Sequence, residues 1–82
     1  MNEEEQIVSI LERVLNEDIN GKQALALWPN FDTKNKPVFS KAWHNLYHFS
    51  VDTDIQDKDT EYKKYQLGLI QSDLYTIKRN SL

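Results

Sequence analysis

His44 and His48 stand four residues apart, and four of the chain's seven aspartates, Asp52, Asp54, Asp57 and Asp59, follow soon after them. On a helix, two histidines at this spacing project from one face, as the histidines of a metal-binding helical pair do. Asp52 extends the row by a turn, and Asp52 or Asp54 supplies a carboxylate for the third position that zinc or iron requires. One reading is therefore a helical metal-binding protein, or a metal-dependent enzyme, using His44 and His48 with Asp52 or Asp54. Against it, the glutamate of the HEXXH motif is missing between the histidines, and the chain has no third histidine. The plainer reading holds no metal and no cofactor. It puts both imidazoles at the edge of an aromatic helical face, each donating one ring hydrogen bond to a carboxylate or carbonyl.

Other chemistry is poorly supplied. A calcium loop that placed Asp52 and Asp54 at its first and third positions would put Asp57 where glycine is required and Lys63 where the bidentate glutamate belongs. Ser40, Ser50 and Ser72 lack the glycines of a nucleophile elbow. Gly21 and Gly68 stand too far apart to cradle a phosphate. With no cysteine there is no disulfide, no thiolate nucleophile and no cysteine-bound metal. The residues favour a non-enzymatic reading over an enzymatic one.

The elements that must position these residues are helical. Eighty-two residues allow one domain, 1–82, since a second core would leave each half too small to offset its chain entropy. Two glycines, two prolines and few runs at period two predict an all-α compact bundle of about four helices, the second short. The first helix is expected after Asn2 as cap, with Ile7, Val8, Leu11, Val14 and Leu15 as its apolar stripe and Ile10 at the margin. Asn20-Gly21, tolerant of positive φ, is expected to end it. The stretch QALALW forms the short helix and Pro29 stops it, a loop over 30–36 tucks Phe31 inward, and Pro37 opens the third helix. An acidic turn then leads to a last helix from Thr60 to about Lys78, capped by Asp57 or Asp59, in which Gly68 allows a neighbour to approach. The expected core is Ile7, Leu11, Val14, Leu25, Phe39, Trp43, Leu46, Tyr62, Leu69 and Ile77.

Charge narrows the partners. The net charge of -3 is unevenly spread: residues 1–18 carry six acids against Arg13, and residues 52–61 carry five against Lys58. Neither remaining segment is basic enough for a nucleic-acid footprint. No apolar run approaches a spanning helix, and MNEEEQ is acidic where a signal peptide is basic, so a soluble, cytoplasmic chain is expected.

A helix with an aromatic face, then HFSVDTDI, then an acidic turn and EYKKYQLGLIQSDLYTI, together resemble the C-terminal half of small all-helical bacterial immunity proteins of the colicin D immunity type. The resemblance covers roughly residues 43–77 and rests by position on Phe49, Asp52 and Asp54. It implies a compact acidic helical domain whose carboxylates cover the active site of a basic, RNA-cleaving toxin domain. Read from the residues alone, the expectation is a protein-interaction module that presents Asp52, Asp54, Asp57, Asp59, Glu61 and Phe49 to a basic protein partner. A small helical homodimer, burying excess aromatic surface against its own copy, is the competing structural class.

Overall fold

The protein is described by a computed structural model over residues 3–29 and 37–80. The expected cap at Asn2 and the expected tuck of Phe31 lie outside the described residues. Among the described residues five helices follow one another: α1 Glu3–Leu15, α2 Gly21–Leu27, α3 Pro37–Val51, α4 Thr53–Lys58 and α5 Thr60–Asn80. The all-α expectation holds. The fifth helix is α4, formed by residues read from the sequence as a turn. Asp54 in its first turn and Lys58 in its last oppose the two ends of the helix dipole, and Gln56 is buried beneath it.

The core is assembled from one face of each longer helix. Ile7, Ile10, Leu11 and Val14 come from α1, Phe39, Ala42, Leu46 and Phe49 from α3, and Ile70, Leu74 and Ile77 from α5, with Ile19 and Ala24 closing one side. The α3–α5 contact is the most extensive, and α1 and α2 lean on these two. Trp43 departs from expectation: Phe39, Ala42, Leu46 and Phe49 take the inward positions, so the indole one step further round the helix reaches solvent. Leu25, Tyr62 and Leu69 are half-buried rather than central.

Two local devices also differ from expectation. The left-handed residue after α1 is Glu17, with φ 62°, not Asn20 or Gly21. Its amide donates to the Val14 carbonyl at 3.0 Å and the Asp18 amide to the Arg13 carbonyl at 2.9 Å, the two bonds of a Schellman stop. Asn20 instead starts α2, accepting from the Gln23 amide at 2.8 Å while the Gln23 side chain accepts from the Asn20 amide at 2.9 Å. The close-approach glycine is Gly21, where an added Cβ would lie 2.8 Å from the Ser50 Cα. At Gly68 nothing lies within 4 Å of that position, so no neighbour uses the gap.

Candidate functional site

The Schellman turn carries the chain from α1 to α2 and leaves Glu17 and Asp18 beside α4. Between them opens a cleft of about 490 Å³. Its lining includes Val14 and Phe49 from the core, with Glu17, Asp18 and Asp57 contributing carboxylates and Lys63 an ammonium group. Lys63 pairs with Glu17 at 3.5 Å, and both side chains are largely exposed, so the pair is worth little to stability. Formally the four charged groups leave the cleft net negative, above a partly apolar lining.

The expected partner-facing residues fall into different places. Asp54, Asp57, Asp59 and Glu61 are exposed, and of these Asp57 lines the cleft. Asp59 also caps α5, its Oδ1 accepting from the amides of Glu61 at 3.1 Å and Tyr62 at 3.2 Å, which is the capping role expected of Asp57 or Asp59. Phe49 is a core residue, only 8% exposed, and reaches the cleft with an edge rather than standing on the surface. Its position on the inward face of α3 forces this.

Asp52 is likewise turned inward in part. It is half-buried, and its Oδ2 accepts from the Tyr62 hydroxyl at 2.8 Å and from Gln66 Nε2 at 3.0 Å. Gln66 Oε1 in turn accepts from Gln56 Nε2 at 2.6 Å, and Gln56 also donates to the Phe49 carbonyl at 2.9 Å. Asp52 precedes α4 yet makes no side-chain cap bond to it, because its carboxylate is turned to α5. The bond to Asp52 is also the main reason the Tyr62 hydroxyl is held above its ordinary pKa, since ionisation would lose that donor beside a carboxylate.

His44 and His48 lie on the outer side of α3, both exposed. Each packs edge-on against an aromatic neighbour, His44 against Trp43 at 5.4 Å between ring centroids and His48 against Tyr47 at 5.9 Å. Among the described residues, no three of histidine, aspartate and glutamate converge in a geometry that could hold a metal ion. The Asp52 carboxylate, one of the two that the metal reading offers, is committed to Tyr62 and Gln66.

A second buried carboxylate was not singled out from the sequence. Asp73 is 4% exposed between α3 and α5 and accepts from Asn45 Nδ2 at 2.6 Å. Burial raises its pKa, against the opposing pull of the Asn45 bond and of Lys41. Glu17 and Asp18 were likewise missed as cleft residues. The acidic excess of residues 1–18 was visible, but a stop motif without glycine hid where the chain turns.

Comparison of the chain with protein-family models, with curated proteins and with solved structures finds no match.

Proposed function

We propose that this protein is a non-enzymatic interaction module that receives a basic protein partner at the acidic cleft. The observation that carries the reading is convergence. Glu17 and Asp18 from the α1–α2 turn meet Asp57 of α4 around one concavity whose lining includes Val14 and Phe49. Such a cleft suits a lysine or arginine side chain, because the aliphatic stem meets apolar surface while the charged head meets carboxylates. Asp54, Asp59 and Glu61 on the adjoining surface extend the negative field and accelerate encounter with a basic protein. The immunity-type role belongs to the same proposal: a basic toxin domain, encoded beside this chain, is the partner of that chemistry.

The backbone adds support. Glu17 occupies a left-handed conformation that glycine adopts at lower cost, and strain of this kind gathers at functional sites. The strain keeps a carboxylate on the cleft. Glu17→Gly is thus expected to raise stability by about 0.5–1 kcal/mol in urea unfolding while weakening partner binding.

The test is affinity capture from the native host with the parent chain and with a Glu17→Lys, Asp57→Lys variant. The reading expects a basic protein that is retained at low salt, released as salt rises, and lost with the variant. Capture that ignores both salt and the reversals would overturn it.

A further inference from the structure

We infer that the cleft is built for an arginine side chain rather than a lysine, with the amide oxygen of Gln56 as a fixed acceptor on its wall. The inference rests on the cleft reading above and sharpens it. Gln56 is only 7% exposed, yet it lines the cleft. Its Nε2 donates twice, to the Phe49 carbonyl at 2.9 Å and to Gln66 Oε1 at 2.6 Å, while its Oε1 accepts from no described residue. Among the described residues, Trp28 Nε1 is the one fully buried side-chain polar atom without a partner, so Gln56 Oε1 keeps an opening to solvent. The opening that Gln56 lines is the cleft.

A chain of donors sets which way that amide faces. The Asp52 carboxylate only accepts, so Gln66 turns its Nε2 to it at 3.0 Å and its Oε1 to Gln56. Gln56 must then present nitrogen to both Gln66 and the Phe49 carbonyl, since turning its amide over would set oxygen against oxygen at each. The acceptor is therefore oriented before any ligand arrives. A lysine ammonium is a compact point charge that carboxylates alone can satisfy. A guanidinium is a planar fork of five N–H donors, so one edge can meet a carboxylate of Glu17, Asp18 or Asp57 while another N–H meets the neutral oxygen. It is also more weakly hydrated, so seating it on a lining that includes Val14 and Phe49 costs less. Lys63 directs its own charge to Glu17 in an exposed pair that such a ligand displaces at little cost.

The test is a nuclear magnetic resonance titration of the full chain with Nα-acetyl-arginine amide and with its lysine and citrulline counterparts. Citrulline keeps the shape of arginine and drops the charge. The backbone amide signals of Glu17, Asp18 and Asp57 are expected to shift with the two cations and not with citrulline, arginine binding roughly tenfold more tightly than lysine. Gln56→Met removes the acceptor, and arginine is then expected to fall to the lysine value while lysine stays unchanged. Circular dichroism checks that this variant folds; if it does not, the three ligands on the parent chain decide alone. Equal binding of arginine and lysine by the parent, or a folded Gln56→Met that keeps the preference, overturns the role of Gln56 and leaves the cleft reading standing. Shifts from neither cation, or citrulline bound as tightly as arginine, overturn both, because the carboxylates then select nothing.

Discussion

Both faces of α3 are rich in apolar side chains, yet only one of them is covered. Phe39, Ala42, Leu46 and Phe49 on the inner face are 8% exposed or less, whereas Trp43, Tyr47 and Val51 on the outer face retain a third to a half of their surface. The spacings along the two faces are equally helical, and the outer set contains the larger rings. Burial follows from what is available to pack. The inner face has α2 and α5 beside it and shares one core with α1, and among the described residues no further long helix lies on the other. An amphipathic stripe therefore announces that a face wants cover, and not whether the same chain supplies it.

Substitutions can widen or erase this contrast. The largest effect is expected at the inner face: Leu46, fully buried, should cost about 2–5 kcal/mol on replacement by alanine, measured by urea unfolding. Next comes the flank where α2 meets α3. Gly21→Ala forces a methyl to 2.8 Å from the Ser50 Cα, and since backbone cannot swing aside as a side-chain tip would, a loss of about 1–3 kcal/mol is expected. The α5 flank responds to pH instead. The Asp73 pKa is raised in the fold, so its contribution is fully present below the ordinary carboxylate range and is lost as pH rises through the raised value. Asp73→Asn keeps an acceptor for Asn45 without the buried charge. It should gain on the parent in melts near neutral pH, and the gain should vanish toward pH 3. The smallest effect belongs to the outer face, where Tyr47→Ala in dilute solution should stay within about 0.5 kcal/mol. A large loss there would mean that the ring is holding the monomer together.

Much of this architecture was legible because three helices carry long stripes. Ile7, Leu11 and Val14, then Phe39 and Leu46, then Ile70, Leu74 and Ile77 appear in the core where period 3.6 puts them. Pro37 opens α3 and Asp59 caps α5 for local reasons that need no tertiary information. The failures lie where local preference was overruled or underdetermined. Aspartates are poor interior residues, so α4 was hidden; its burial of Gln56 is a tertiary contact that propensity does not see. Glu17 took the left-handed position although Asn20-Gly21 was nearby and better suited, because the hydrogen-bonded stop closes on the Arg13 and Val14 carbonyls. For the cleft, one of its three acids, Asp57, could be listed, but not its neighbours. Glu17 and Asp18 stand some forty residues before Asp57 in the chain, and only the packing of α4 beside the α1–α2 turn unites them.

The clasp of Asp52, Tyr62, Gln66 and Gln56 has a consequence for how the molecule opens. The C-terminal half of α5 is fastened by Ile70, Leu74 and Ile77, so the amides around these residues are expected to exchange with solvent hydrogen chiefly when the core gives way. The N-terminal half is fastened chiefly by side-chain hydrogen bonds, so Tyr62 to Gln66 belong to a separate, weaker cooperative unit whose amides exchange through local opening. Above about pH 10, where tyrosine ionises in unfolded chains, that unit loosens as the pH passes the raised Tyr62 value. Lys63 travels with it. The cleft thus has one rim on this hydrogen-bonded half of the longest helix, and its charge balance is expected to shift from a paired Glu17 to a bare one each time that half opens.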